Sequence, residues 1–199
     1  MSKLLYIKAN CKPENESRTF KISDRFIEEY KKSHPMDEIV VLDLYKENID
    51  FIRADDFKVI FQQEKDRNHP IIKYAYEFAE ADKYVIAAPM WNLNFPAILK
   101  AYIDYISIPG ITFKYTEKGP MGLLKGKKLM LITSRGSKYI GRPSSKYEMG
   151  ERYLRTIMGF FGVDDFTTIA AEGLDISGQD VDAILEKAIE EAKEKARYF

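Results

Sequence analysis

Three short stretches gather the residues whose types and spacing could do chemistry. The first runs from Asn10 to Thr19 and ends in Ser17, Arg18 and Thr19. Hydroxyls and free N–H groups at the start of a helix, beside an arginine, make a site for a phosphate dianion. The plainer alternative is an ordinary Ser/Thr helix cap. The second stretch is Pro89-Met90-Trp91-Asn92-Leu93. Met90 and the chain's single tryptophan can lie against a flat ring, and the Asn92 amide can meet a ring edge that carries both C=O and N–H. A hydrophobic corner with a core tryptophan is the competing reading. The third is Ser134-Arg135-Gly136-Ser137, followed by Tyr139. Its hydroxyls and loop N–H groups could stabilise negative charge on a ring, with Arg135 and Tyr139 framing it. A common Gly/Ser-rich loop would look the same.

What is scarce narrows the chemistry. One cysteine, Cys11, excludes an internal disulfide and a cysteine-based metal site. Two histidines, His34 and His69, leave little material for zinc hydrolysis or a His-based triad. Lys+Arg and Asp+Glu number 31 each, so the clustered basic excess of a nucleic-acid binder is missing. No apolar run approaches the ~20 residues that span a bilayer, and "MSKLLYIKAN" is too short in its apolar part for a secretory signal. A cytoplasmic protein without membrane or nucleic-acid partners is the expectation.

The elements that must position these residues alternate along the chain. Apolar runs predict strands at 3–9, 39–44, 84–88, 128–133 and 166–171, with apolar residues at helical spacing over 17–32, 70–81, 96–106, 147–161 and 180–197. Asn94 is a candidate N-cap, Gly162 a helix stop, and Ser177 with Asp180 an approximate capping box. "ITFKYT" at 111–116 lies between Pro109-Gly110 and Lys118-Gly119-Pro120 and predicts a small β-excursion. The segment 45–68 reads as an insertion with one short helix. With no linker or repeat, residues 1–199 form one α/β domain, a doubly wound five-stranded parallel sheet in the flavodoxin-like order 2-1-3-4-5.

Such sheets bind ligands beyond the carboxyl ends of their strands, at the switch between strands one and three. The three chemical stretches follow strands one, three and four. The first lacks the glycine fingerprint of a dinucleotide site. A ligand with a phosphate at one end and a polar-edged flat ring at the other would use all three; FMN has that form.

The blocks "MSKLLYIKAN", "PMWNLNFPAILKAYIDY", "GITFKYTEKGPMGLLKGKK", "TSRGS" and "MGFFG" followed by "AEG" resemble the FMN-dependent NADH-azoreductases, also described as NADH:quinone oxidoreductases, over essentially the full length. The resemblance implies a phosphate segment at Ser17, Arg18 and Thr19, with Asn10 beside the cofactor. It implies ring contacts from Pro89, Met90, Trp91, Asn92 and Leu93, and pyrimidine-side contacts from Ser134, Arg135, Gly136 and Ser137, with Tyr139 near the ring. Tyr115 and Phe160 match aromatics of the substrate pocket, Phe160 reaching in from the second subunit of a homodimer, and the 45–68 insertion overhangs that pocket. The implied reaction is ping-pong: NADH or NADPH reduces the flavin, then a quinone or azo compound takes two electrons. No acid–base residue is implied as catalytic beyond an assisting Tyr115.

Three departures accompany the match. Leu93 stands where an aromatic is frequent, Arg18 where Gln is usual, and Ser137 where a second glycine is common. A serine at that last position would be strained if it needs positive φ. A flavodoxin-type electron carrier and a non-enzymatic FMN-binding sensor share the fold and cofactor; the β-excursion, its pocket aromatics and the balanced charge favour the enzyme. A signalling receiver with this strand order needs an aspartate where this chain has Pro89-Met90.

Overall fold

The computed structural model describes residues Met1–Phe199. Five parallel strands form the main sheet: β1 (Lys3–Lys8), β2 (Glu38–Asp43), β3 (Lys83–Ala87), β6 (Lys128–Arg135) and β7 (Asp165–Glu172), in the order β2-β1-β3-β6-β7. This is the flavodoxin-like arrangement expected from the sequence. The helices are α1 (Arg18–Ser33), α2 (Ala54–Ile60), α3 (Ile72–Glu80), α4 (Ala97–Ile106), α5 (Gly150–Phe161) and α6 (Val181–Ala196). The β-excursion is an antiparallel hairpin of β4 (Phe113–Thr116) and β5 (Gly119–Gly122), outside the main sheet.

The central strands are apolar on both faces because helices cover both. Along β1, Leu5 and Ile7 point into a core shared with α3, α4 and α5, while Leu4 and Tyr6 point into a second core with α1 and α6. That alternation is the period-2 geometry of a strand, hidden in the sequence by a continuous apolar run. The register places Lys8 opposite both Asp43 and Ala87, so the loops after β1 and β3 leave the sheet side by side.

Several local expectations are corrected. Asn94 does not cap α4: the N-cap is Pro96, and the Asn94 side chain accepts from the N–H of Phe95 at 2.9 Å instead. Its backbone closes a tight turn with Trp91, which removes it from the helix start. Asp180, not Ser177, is the cap of α6, accepting from the Ala183 N–H at 3.0 Å. The expected helix 147–161 begins only at Gly150, while Tyr147 closes a preceding 3-10 turn, Pro143–Tyr147. The break falls where the Met149 N–H is drawn to the Leu93 carbonyl and Glu148 accepts from the Glu151 N–H at 3.0 Å. Gly162 ends α5 in the left-handed region, at φ 96°, as its position after an apolar helix suggests.

Candidate functional site

The carboxyl ends of β1, β3 and β6 open into a cavity of about 500 Å³. It is lined by Asn10, Lys12, Glu16, Arg18, Pro89, Met90, Trp91, Ser134, Arg135, Gly136, Leu174 and Asp175. All three stretches singled out in the sequence meet here, at the topological switch of the sheet.

The β1 end is built around Ser17. It is fully buried and caps α1, its Oγ accepting from the Phe20 N–H at 3.1 Å and the Asn10 Nδ2 at 2.8 Å. The hydroxyl-cap reading therefore describes the Ser17 side chain correctly. The N–H groups of Arg18 and Thr19, in the first turn, meet no acceptor in the chain. They leave the positive end of the α1 dipole open for an anion. Buried Thr19 spends its hydroxyl on Ser134 Oγ at 2.7 Å, which ties α1 to the end of β6. Ser17 and Thr19 thus stand behind the cavity wall, while Arg18 lies in it and its guanidinium reaches Asp175 Oδ1 at 2.7 Å.

The β3 end is a strained corner. The Met90 N–H donates to the Ser134 carbonyl at 2.9 Å, joining the second and third stretches. Trp91 and Asn94 exchange both backbone hydrogen bonds, at 2.6 and 2.9 Å. Between them Asn92 and Leu93 have φ of 49° and 68°, the only non-glycine residues with positive φ. Two successive left-handed residues define a type I′ turn, for which asparagine is well suited and leucine is not. This explains the asparagine-rich run after the tryptophan: Asn92 takes the first left-handed position and Asn94 closes the turn. The strain at Leu93 is held by Met149, whose N–H takes the Leu93 carbonyl at 2.9 Å. Trp91 also borders a second cavity of about 620 Å³, lined with Tyr45, Asn92, Phe95, Ile98 and Tyr153 among others. Trp91 therefore borders both a polar cavity and a more apolar one.

Arg135 departs from its expected place. Arg135 borders the cavity, but its side chain is only 1% exposed and is bonded to carboxylates beneath the loop. Its guanidinium donates to Glu172 Oε1 and Glu151 Oε2, each at 2.9 Å, with Glu148 at 3.5 Å. It frames the loop from below. Glu172 Oε2 in turn accepts from the N–H groups of Tyr139 and Ile140, both at 3.1 Å. Burial pushes the Glu151 carboxyl up, but hydrogen bonds from Arg135, Thr168 and Arg155 hold it below the usual range. Burial likewise works against the Arg135 cation, and the bonds to Glu172 and Glu151 more than offset it.

The remaining expected residues are spread around this centre. Asn92 faces the second cavity, and Tyr139 lines a separate groove with Ile140 and Ser145. Ser137 and Leu93 line neither of the cavities beside Trp91. Ser137 does not adopt positive φ, so the strain considered for a serine there is absent. Tyr115, 71% exposed, and Phe160 flank Phe113 on the hairpin, with ring centroids 5.5 and 4.7 Å from it, and line neither cavity of their own chain. Of the 45–68 insertion only Tyr45 reaches the Trp91 region; Phe51, Phe57 and Phe61 line a groove beside the end of α4, where the Tyr105 hydroxyl anchors the Asp50 N–H. Lys12, Glu16, Leu174 and Asp175 were not anticipated. Leu174 and Asp175 belong to the loop after β7, which strand order alone placed away from the switch point. Glu172 had one signal, its place in the "AEG" block.

The polar end, the free helix N–H groups and the Met90–Trp91 wall fit a phosphate-bearing ligand with a flat ring. No cluster of three or more His, Cys, Asp or Glu residues could hold a metal, and no helix is long and apolar enough to cross a membrane. A family described as having a flavodoxin-like fold matches residues 2–196. An FMN-dependent NADH:quinone oxidoreductase of Clostridium perfringens is 62% identical over 201 residues, covering 100% of both chains. One of Clostridium beijerinckii is 61% identical over the same coverage. Among solved structures, an azoreductase from Bacillus anthracis superposes with a TM-score of 0.92 at 37% identity, covering 100% of both chains. An FMN-dependent NADH-azoreductase from Bacillus anthracis, solved in complex with FMN, has a TM-score of 0.91 at 30% identity, covering 100% of this chain and 99% of that one. Fold, site and relatives agree, and the chain belongs to the flavodoxin-like family of FMN-dependent NADH:quinone oxidoreductases and azoreductases.

Proposed function

We propose that this chain holds FMN in the cavity at the β1–β3 switch and works as a two-electron oxidoreductase between a reduced nicotinamide nucleotide and a quinone or azo acceptor. The observation that carries the reading is the pairing of ends within one cavity: unsatisfied N–H groups of α1 on one side, Met90 and Trp91 on the other. Arg18 and the first-turn N–H groups receive the phosphate. Pro89, Met90 and Trp91 support the ring, and Ser134 and Gly136 meet its polar edge. FMN bound there would supply two-electron chemistry between the nucleotide and the acceptor. The chain's own groups position the ring, exclude water from one face and present N–H donors where negative charge collects.

Donor and acceptor use one open face in turn, which makes the kinetics ping-pong. The second cavity, beside Trp91 and with Phe95 and Ile98 in its wall, suits an aromatic acceptor. We infer that Phe160 and Tyr115, remote from the cavities of their own chain, complete the acceptor pocket of a second copy in a homodimer. NADH, the donor named for the relatives, is the expected donor here.

An anaerobic titration of FMN-reconstituted protein tests this. Bleaching of the flavin band by NADH and its recovery on adding a benzoquinone are expected. Bound flavin that stays oxidised with NADH and NADPH would favour an electron carrier or a sensor, and no bound flavin would overturn the reading.

A further inference from the structure

The phosphate end of the cavity contains a carboxylate that works against a phosphate. Asp175 is in the cavity wall, and its Oδ1 takes the Arg18 guanidinium at 2.7 Å. Both side chains are accessible from the cavity, at 40% exposure for Arg18 and 70% for Asp175. Two hydrogen bonds fix the Asp175 backbone next to the third stretch: the Leu174 N–H donates to the Arg135 carbonyl at 3.2 Å, and the Asp175 N–H to the Gly136 carbonyl at 3.0 Å. Gly136 makes the approach possible. A Cβ built there would lie 2.5 Å from Asp175 Oδ2. The glycine leaves room for the carboxylate in this position, and its φ is not positive.

The charges lining the cavity mouth are Lys12 and Arg18 against Glu16 and Asp175. They cancel, and Arg135 is consumed by its own carboxylates. An arginine held by Asp175 is not fully available to a phosphate, and a dianion arriving beside it also meets the carboxylate's repulsion. We propose that Asp175 is a built-in competitor for Arg18: it sets how tightly the site holds a phosphate-bearing flavin, and cofactor binding proceeds by transfer of Arg18 from Asp175 to the phosphate. The inference rests on the FMN reading above and adds an affinity-setting residue to it. The consequence is a cofactor held more loosely than Arg18 alone would give, with a preference for FMN over riboflavin that Asp175 restrains.

The test uses full-length apoprotein titrated with FMN and with riboflavin, following flavin fluorescence, at about 20 mM and about 300 mM salt. The chains compared are the parent, Asp175→Asn, Arg18→Gln and the double variant. Asp175 is exposed and its backbone bonds survive the change, so a thermal melt of Asp175→Asn should match the parent. Asp175→Asn should tighten FMN about three- to tenfold at low salt, leave riboflavin within about twofold, and lose most of its advantage at high salt. In the Arg18→Gln background the gain should fall by at least half, because there is no arginine left to release. Unchanged FMN affinity in Asp175→Asn, or equal tightening of both flavins, would overturn the proposal while leaving the FMN site intact. Failure of the parent and every variant to bind either flavin would overturn the site itself, and this inference with it.

Discussion

Arg135→Met removes the cation that Glu148, Glu151 and Glu172 share under the 134–140 loop. Taking one partner from a buried ion pair costs about 3–5 kcal/mol, because the remaining charges stay buried without compensation. Here the lower end applies. Glu151 keeps Arg155 at 2.8 Å and the Thr168 hydroxyl at 2.8 Å, and Glu172 keeps the N–H groups of Tyr139 and Ile140. A loss of about 3 kcal/mol lowers Tm by roughly 6–12 °C in a chain of this size. The pH dependence gives a second check. In the parent the Glu151 carboxyl sits below its ordinary value of 4.5, so its contribution is complete above that value and is lost as pH falls through the depressed one. In the variant Arg135 no longer opposes burial, the Glu151 carboxyl holds its proton more readily, and the stability gap should narrow from pH 7 to pH 5. Arg135→Lys restores the charge without the planar fork that serves two carboxylates, and should recover only part of the loss. Urea unfolding of apoprotein at the two pH values measures all of this. A loss below about 1 kcal/mol at pH 7, or a gap that widens toward pH 5, would refute the reasoning.

Ser17→Ala leaves the buried Phe20 N–H and Asn10 amide without their acceptor and should cost about 1–2 kcal/mol in urea unfolding, with weaker FMN binding. Trp91→Ala should lower FMN affinity about tenfold in a fluorescence titration, for about 1.4 kcal/mol of lost ring contact; unchanged affinity would move the ring elsewhere. Phe160→Ala should depress kcat/KM for a quinone while flavin content after gel filtration stays the same, and a change in neither would sink the inter-subunit pocket. Asp37 is held down to about 2 by the Ser2 N–H, the Tyr30 hydroxyl and Lys83. Its contribution is present above its ordinary 3.8 and is lost as pH falls through about 2, so Asp37→Asn should reduce stability at neutral pH and flatten acid unfolding between those values.

The sequence by itself determined the strand order and the identity of the three loops that converge. Those follow from local signals: apolar runs that must be strands between helical stripes, and a parallel sheet whose handed crossovers leave one switch point. Asn92 and Asn94 were visible as unusual residues, but the type I′ turn they build depends on a backbone pairing of Trp91 with Asn94. Tertiary structure alone decided the direction of Arg135. Arginine in a glycine-rich loop reads as a ligand contact until three glutamates, 13, 16 and 37 residues away in sequence, are folded beneath it. Asp175 likewise gave no local sign. Its role exists only because the loop after β7 crosses to Gly136, where a missing Cβ lets a carboxylate reach an arginine 157 residues distant. Periodicity and capping are written in neighbouring residues, whereas charge pairing across a sheet edge is fixed by register and close approach, which no window of the sequence contains.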